Sequence, residues 1–162
     1  MLYPAQLYKE ELKKKLVSKW YDPKYKWYFG GERYMNEVPD NTEWRQDFVH
    51  LDAAGEVDGY FSYHYDKAAK SLNQFGLVSF SDNGTDLVLD AIHRVMYLFK
   101  EEQVQRCEFW AFSDNPVNKL YKKLMKRYGG LIVGHLTDCA YFGGKYHSMD
   151  IYEVFAEGMT HG

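Results

Sequence analysis

The stretch GLVSFSDNGTDLVLDAIHRVMYLF (Gly76–Phe99) is typical of a β-strand, a tight polar turn and a following helix. A turn between a strand and a helix points several backbone N–H groups at one spot, an arrangement that suits a phosphate group. This turn also carries the carboxylates of Asp82 and Asp86, which would repel a phosphate. It is therefore an anion-binding site, a degraded form of one, or a connection without a ligand, and the function depends on which it is.

The elements of this stretch can be bounded from the surrounding residues. The strand spans about Asn73–Phe80, and Thr85 or Asp86 would serve as the N-cap of the helix. The apolar residues of the helix share one stripe, which consists of Val88, Ile92, Val95, Met96 and Phe99. The pattern predicts an amphipathic helix.

Upstream of this stretch, the sequence predicts a β-hairpin. Residues 47–65 form two strand-like runs on either side of Ala54-Gly55, which is a hairpin signal. Because side chains alternate along a strand, the second run has two faces. One face carries Val57, Gly59, Phe61, Tyr63 and Tyr65, and the other carries Tyr60, Ser62 and His64.

The N-terminal segment predicts a helix. Leu12, Leu16 and Trp20 recur at helical spacing within residues 9–22, after a short edge strand that Pro4 limits. Residues 23–44 are aromatic, charged and weakly periodic, and form either a second short helix or an ordered loop.

Downstream, the sequence predicts a strand, a capped turn and a second amphipathic helix. Cys107–Phe112 is followed by Asp114-Asn115-Pro116, in which Asn is a favoured N-cap and Pro a favoured first helical residue. The apolar residues of the helix are Val117, Leu120, Tyr121, Leu124, Met125 and Tyr128, and Gly129 ends it. Two last strands, about Leu131–Ala140 and Tyr146–Phe155, flank the turn FGGK, and we expect the tail after Ala156 to be frayed.

The order of elements defines the fold class. It reads α-(α)-β-β-β-α-β-α-β-β after a short first strand, which predicts a mixed α/β domain. Its central sheet is mostly antiparallel, with parallel crossovers at the two later helices and with flanking helices. The length of 162 residues suits one domain over residues 1–162.

Composition narrows the function. A net charge of −3 and a pI near 6.1 argue against a nucleic-acid-binding protein. The aromatic content of 18% favours a cleft or partner surface lined with Tyr. Two cysteines without metal spacing fit a reducing cytosol. His135 and His147, with Asp138 or Asp150, lack the regular spacing of a metal site. We expect a soluble cytoplasmic protein with no bound metal and no membrane partner.

At this point the sequence resembles the GNAT superfamily of acyl-CoA-dependent N-acyltransferases. The resemblance covers residues 47–155 in element order and is strongest over residues 114–129. The family has Asn at the end of its fifth strand, then Leu-Tyr in a helix, then Gly, and the matching residues here are Asp114-Asn115, Leu120-Tyr121 and Gly129-Gly130. The spacing from Asn115 to Tyr121 is one residue short unless Asp114 takes the Asn place.

The resemblance is weaker at the pyrophosphate loop. The family has Gln or Arg, two residues, Gly, one residue, and Gly or Ala, and these positions hold Asn83, Asp86 and Val88 here. The chain therefore looks like a divergent member with a degenerate loop.

The resemblance implies acetyl-CoA as co-substrate. Backbone N–H groups of Asn83, Gly84, Thr85, Asp86 and Leu87 would hold its pyrophosphate, and Leu77, Val78 and Ser79 would line its pantetheine arm. Asn115 would cap its helix, contact CoA, or do both. In the alternative, the Asp86 carboxylate caps the helix and accepts the same N–H groups, so the turn binds no ligand.

The resemblance also implies catalytic roles. Tyr121 would protonate the leaving thiolate, and the backbone N–H of Val78 would bind the oxyanion. His64 or Glu108 would act as the base. Tyr121 could equally be a core residue of its helix, and His64 could be structural or exposed.

Two functions remain open. The first is an N-acetyltransferase in which a small-molecule or peptide primary amine attacks acetyl-CoA directly, with residues 23–44 forming one wall of the pocket. The second is an inactive GNAT-like binding module that recognises a protein or small molecule through its aromatic N-terminal half. The C-terminal strands could also pair with a second copy to give a homodimer.

Overall fold

A computed structural model describes residues 1–19, 21–27 and 38–160. Seven strands form one sheet: β1 (Leu2–Pro4), β2 (Arg45–Leu51), β3 (Val57–Asp66), β4 (Ser71–Ser79), β5 (Arg106–Phe112), β6 (Leu131–Phe142) and β7 (Lys145–Phe155). The α-helices are α1 (Lys9–Lys19), α2 (Thr85–Glu101), α3 (Asn118–Arg127) and α4 (Ala156–Thr160).

The strand order across the sheet is β1-β2-β3-β4-β5-β7-β6. Neighbouring strands are antiparallel except β4 and β5, which are parallel and are joined through α2. The connection through α3 leads from β5 to β6, and β7 lies between these two strands. The predicted mixed, mostly antiparallel sheet with flanking helices is confirmed.

The predicted hairpin turns are also present. Gly55 lies between β2 and β3 with φ +84°, and Gly143 and Gly144 lie between β6 and β7 with φ +59° and +80°. These left-handed conformations favour glycine, because a Cβ atom would come too close to the adjacent backbone carbonyl.

The two faces of the sheet carry separate hydrophobic clusters. On one face, α2 and α3 pack on residues that include Phe61, Tyr63 and Leu72. On the other face, the cluster joins Leu12 and Leu16 of α1 with Val49, Val57, Tyr60 and Val78. Val57 was predicted on the face of Phe61. This is wrong, since the strand pairing shifts between His50 and Leu51, opposite the start of β3.

Three further expectations about local structure need correction or completion. Neither Thr85 nor Asp86 is the N-cap of α2, because Gly84 occupies that position without a side-chain cap. The tail after Ala156 was expected to be frayed, but it forms α4, which extends to Thr160. Of residues 23–44, Pro23–Tyr25 form a short 3₁₀-helix.

Some sequence predictions fall outside the described residues. They concern Trp20 and residues 28–37 of the segment 23–44 that was expected to form one wall of the pocket. Among the described helices, none combines the length and apolar character needed to cross a bilayer.

Candidate functional site

The sheet opens between β4 and β5. These strands are paired at Ser71 with Arg106 and at Leu72 with Cys107, after which they separate. A β-bulge lies just beyond this pairing, where Gln74 and Phe75 of β4 lie opposite Tyr63 of β3. Because a bulge bends its strand, it directs β4 away from β5. Gln74, within the bulge, has φ +51°.

The opening forms a cavity with a volume of ≈670 Å³. This size suits a small organic ligand. Its walls are Asn73–Val78 of β4 and Arg106–Phe112 of β5, and side chains of α2 and α3 close one side. Trp27, Asn115 and Met149 also line the cavity.

The two sides of the opening differ chemically because side chains alternate along β4 and β5. Phe75, Leu77 and Phe109 pack with the cluster under α2 and α3. Val78 belongs to the cluster on the opposite face, and Glu108, one position from Phe109 on β5, also faces away from the helices. The cavity thus connects an apolar side under the helices with a more polar opposite side.

Tyr121 occupies both places that the sequence analysis considered. It lines the cavity, and its ring contacts the rings of Phe109 and Tyr152 at centroid distances of 4.9 and 5.7 Å. Tyr121 is therefore part of the aromatic packing and also faces the opening. Its role as an acid stays a prediction.

The two candidate bases lie in different positions. Glu108 lines the cavity, and its Oε1 accepts a hydrogen bond from Trp110 Nε1 at 2.8 Å. His64 lies on β3, opposite Asn73 of β4, and is not part of the cavity lining. The His64 Nδ1 atom is buried and has no hydrogen-bond partner within the described part of the chain.

The residues proposed to hold the pantetheine arm are partly at the cavity. Leu77 and Val78 line it, as does Asn115, which was considered as a helix cap or a CoA contact. Ser79 lies at the end of β4, where its Oγ donates to Ser81 O at 3.0 Å and its carbonyl accepts from Tyr25 Oη at 2.9 Å. Asn83–Leu87 form the turn and first residues of α2, outside the lining set.

The turn before α2 keeps backbone donors available. Asn83 Oδ1 accepts a hydrogen bond from Thr85 N at 3.2 Å. The N–H groups of Asp86 and Leu87, by contrast, make no hydrogen bond to any described residue. Gly84 allows a close turn, since a Cβ atom there would lie 2.9 Å from the Ser79 Cβ. These residues fit an anion bound by the main chain.

The two carboxylates of this turn, Asp82 and Asp86, oppose anion binding only weakly. Asp82 forms an ion pair with Lys24, and this hydrogen bond lowers the pKa of Asp82. Asp86 is exposed to solvent, so water screens its charge. The Asp86 carboxylate does not cap the helix, so the turn is not filled by its own side chain.

Cys107, which lines the cavity, is a thiol that the structure disfavours as a nucleophile. Burial, with a smaller contribution from the Glu108 charge, raises the pKa of Cys107 well above its ordinary value. Because the thiolate is the reactive form, a covalent acyl-cysteine at this position is disfavoured.

Two histidines considered for a metal are each paired with one carboxylate. His135 Nδ1 lies 2.8 Å from Asp150 Oδ1, and His147 Nδ1 lies 3.0 Å from Asp114 Oδ2. Over residues 1–19, 21–27 and 38–160, no group of three His, Cys, Asp or Glu side chains could hold an ion.

Sequence reasoning missed several cavity residues, namely Asn73, Arg106 and Trp110, whereas Trp27 belongs to the segment 23–44 that was expected to form one wall of the pocket. No motif marks them, because strand pairing brings them together. Alternation along β4 could have shown which face of the sheet Asn73 lies on. The bulge that follows Asn73 has no sequence signal, so its register opposite His64 could not be predicted.

Comparisons with known proteins concern the fold. No protein-family model matches the sequence, and no curated protein matches it. A spermidine N-acetyltransferase from Vibrio cholerae in complex with CoA and spermine has a TM-score of 0.74 and 14% identity, over 99% of this chain and 97% of that chain.

Two other structures from the same organism are similar. A spermidine/spermine N-acetyltransferase in complex with manganese ions has a TM-score of 0.62 and 18% identity, over 75% of this chain and 71% of that chain. A dodecameric spermidine N-acetyltransferase has a TM-score of 0.59 and 18% identity, over 70% and 66%. The chain therefore has the mixed α/β fold of the GNAT N-acetyltransferases, as the resemblance predicted.

Proposed function

We propose that this protein is a divergent GNAT-superfamily N-acetyltransferase that transfers an acetyl group from acetyl-CoA to a primary amine. One observation carries the proposal: β4 and β5 separate around a cavity of ≈670 Å³ near a helix N-terminus whose Asp86 and Leu87 N–H groups have no partner among the described residues. The cavity would hold the thioester arm, and the N–H groups of Asp86 and Leu87 would bind the diphosphate. The similar structure with CoA and spermine supports this choice of ligands.

The reaction needs no covalent intermediate on the protein. The amine nitrogen forms a bond to the thioester carbonyl carbon, and the carbon–sulfur bond breaks. The amine proton passes to Glu108 directly, or to His64 through water, and the thiolate takes a proton from the Tyr121 hydroxyl. The Val78 N–H would bind the carbonyl oxygen as it gains charge. The disfavoured thiolate of Cys107 supports direct attack.

The acceptor is proposed to be a small aliphatic amine. The similar structures from Vibrio cholerae are those of a spermidine/spermine N-acetyltransferase and a spermidine N-acetyltransferase. We infer the same broad class here, acting in the cytoplasm, and include peptide N-termini as a comparison in the assay.

The first test measures ligand binding and turnover together. Thermal unfolding with acetyl-CoA at 100 times its dissociation constant should show a stabilisation of about 2.7 kcal/mol. Acetylation of spermidine, 1,4-diaminobutane and a short peptide should then be followed by release of free CoA thiol. The proposal is wrong if millimolar acetyl-CoA neither stabilises the protein nor is consumed.

The second test concerns Tyr121. Tyr121→Phe removes the hydroxyl but keeps the ring contacts with Phe109 and Tyr152. We expect kcat to fall by about 100-fold, with an unchanged dissociation constant for CoA. Loss of folding in this variant would instead show that Tyr121 serves the core.

A binding module without CoA is the second candidate. It is favoured by Asp86 and Val88, which stand where the family has small residues. A protein that binds spermidine or a peptide, but shows no response to CoA in calorimetry, would support this candidate.

A further inference from the structure

The opening carries one tryptophan whose ring is not packed. Trp110 lines the cavity and is 53% exposed. The aromatic residues near it on β5, Phe109 and Phe112, contact other rings at centroid distances of 4.9 and 5.0 Å. The ring of Trp110 contacts no ring of another described residue. A large apolar surface therefore faces solvent at the cavity, and a ligand that covered it would gain binding free energy.

The indole of Trp110 is held in place by a neighbouring carboxylate. Its Nε1 donates a hydrogen bond to Glu108 Oε1 at 2.8 Å. Glu108 and Trp110 are two positions apart on β5, so their side chains leave the same face of the strand. Phe109, between them, packs under α2 and α3, so this face is directed away from the helices. A ligand at Trp110 would therefore meet a preorganised ring with a carboxylate beside it.

The charges around Trp110 favour a cation. The Arg106 guanidinium lies 3.1 Å from Glu153 Oε1 and 3.8 Å from Glu108 Oε2. One positive group thus faces two carboxylates, which leaves an excess of negative charge on this face of the sheet. The Glu108 side chain is 26% exposed, so it is not sealed off from the opening. A cationic ligand there can interact with both the ring and the negative charge.

Another part of the chain shows how a carboxylate and an indole together hold an ammonium group. Lys67 Nζ lies 2.8 Å from Glu43 Oε2 and 5.8 Å from the centre of the Trp44 ring. An ammonium in this position is attracted by the carboxylate and by the π-electrons of the ring. No described Lys or Arg side chain lies over the ring of Trp110. Glu108 and Trp110 thus offer the same two groups to a cation from outside the chain.

We propose that Trp110 determines acceptor specificity: its indole face, with the negative charge of Glu108 beside it, binds the ammonium group that a diamine keeps while its other amine is acetylated. This inference rests on the proposed transferase function. The bound ammonium remains charged throughout the transfer, so its contact with the ring is the same before and during the reaction. Such a contact lowers the KM for a diamine without raising kcat. An alkylamine with a single nitrogen lacks this contact.

The main test compares 1,4-diaminobutane with pentylamine, in which a methyl group replaces the second ammonium. For the wild type, the KM of the diamine should be about five- to tenfold lower than that of pentylamine. Trp110→Leu keeps an apolar side chain but removes the π-electrons, so the ratio of the two KM values should fall to about one. A purely structural disturbance would change both KM values together and leave their ratio as it is.

Trp44 provides a matched control. It is also exposed, but its ring already lies under the Lys67 ammonium, and it is outside the cavity lining. Trp44→Leu removes an indole of the same size and should leave the KM ratio at its wild-type value. A fall of the ratio in this variant would show that the loss of any surface indole disturbs the enzyme, which would overturn the assignment to Trp110.

A second variant keeps an aromatic ring at the same position. Trp110→Phe should retain a preference for the diamine of about two- to threefold, because the ring of Phe attracts a cation less strongly than that of Trp. Raising the salt concentration should lower the preference of the wild type, since the charges at the opening are partly exposed and are screened. An equal preference in Trp110→Phe and Trp110→Leu would contradict a contact with the π-electrons.

The outcomes distinguish this inference from the proposed function. Calorimetry with each amine, with and without CoA, measures the subsite directly. If the wild type binds the diamine more tightly than pentylamine and Trp110→Leu does not, the subsite is supported, and it stays so where the protein neither binds nor consumes acetyl-CoA and the transferase proposal fails. If the wild type binds the two amines equally or binds neither, or if Trp110→Leu keeps the preference, the subsite proposal is overturned, whatever the protein does with acetyl-CoA.

Discussion

The turns that follow β4 and β5 both lead from a strand at the opening into a helix, yet they use their backbone donors differently. In the turn after β5, the N–H of Asn115 bonds to Phe112 O, and the N–H of Val117 bonds to Asn115 Oδ1 at 3.1 Å. Asn118 N and Lys119 N bond to Asn115 O and Pro116 O. In the turn after β4, Asp86 and Leu87 leave their N–H groups without a described partner.

The difference separates a structural turn from a turn that can receive a ligand. The motif at Asn115 resembles the family most closely, but its donors are already used. The motif at Asn83–Leu87 resembles the family least, but the N–H groups of its Asp86 and Leu87 remain free among the described residues. Because an anion at a helix start is held by main-chain groups, side-chain identity is a poor guide to which turn binds it.

The largest expected effect concerns the interior of the β5 turn. Asn118 is buried; its Nδ2 donates to Phe112 O at 2.5 Å, and its Oδ1 accepts from Tyr152 Oη at 2.8 Å. Asn118→Ala leaves both partners unpaired and should lower the free energy of unfolding by about 2–4 kcal/mol. Urea denaturation measures this. Asn83→Ala, in the exposed turn, should cost about 1 kcal/mol or less, and an equal loss in both variants would contradict the comparison.

The next effect concerns the close approach in the β4 turn. A Cβ atom at position 84 would lie 2.9 Å from Ser79 Cβ and 3.0 Å from Ser79 Oγ. Gly84→Ala should therefore destabilise the protein by about 1–3 kcal/mol and weaken CoA binding. The double variant with Ser79→Gly should recover part of the loss. Additive effects in this double-mutant cycle would show that the contact does not limit the turn.

A smaller effect should distinguish the acidic residues of the two turns. Asp86→Asn removes an exposed charge beside the proposed diphosphate site, and the dissociation constant for CoA should fall by about two- to fivefold at low salt. Asp114→Asn makes the same change in charge at the other turn and should leave CoA affinity unchanged. Calorimetry at two salt concentrations measures both; an equal response of the two variants would show that the turns do not differ.

The smallest effect is a pH dependence at the β5 turn. Burial acts to raise the pKa of Asp114, but hydrogen bonds from Lys145 and His147 outweigh it, so the pKa lies below the ordinary value of an aspartate carboxyl group. A carboxyl group with a lowered pKa stabilises the fold above about pH 3.8 and loses this contribution as the pH falls through its folded pKa.

The contribution of Asp114 should be below about 1 kcal/mol, because the side chain is partly exposed to solvent. Urea unfolding of the wild type and of Asp114→Asn between pH 2.5 and 6 should show curves that converge at the acidic end. A constant difference over the whole range would contradict the assigned ion pair.

Local signals predicted much of the fold. Glycines at 55, 143 and 144, and helical spacing in α1, α2 and α3, set the order of elements, and the structure follows it. The predicted N-cap of α2 was wrong, because Thr85 and Asp86 lie one and two residues after Gly84, which makes the close approach to Ser79.

The candidate site was less accessible to sequence reasoning. Tyr121, Val78 and Glu108 were placed at the cavity through the family resemblance. Asn73 was missed, since its neighbours come from other strands and the bulge that opens the sheet shifts the alternation of β4. Strand register across long sequence distances, rather than any local motif, decides which side chains meet there.

The short pairing of β4 with β5 also affects the mechanics of the sheet. Four strands on one side are joined to three on the other through two residue pairs. The sheet thus consists of two halves with little hydrogen bonding between them. A molecule bound in the opening would contact both halves and restrict their relative motion. Ligand binding in the opening should then slow amide hydrogen exchange along the outer edges of both halves of the sheet. The bound substrate would thus make the sheet more rigid.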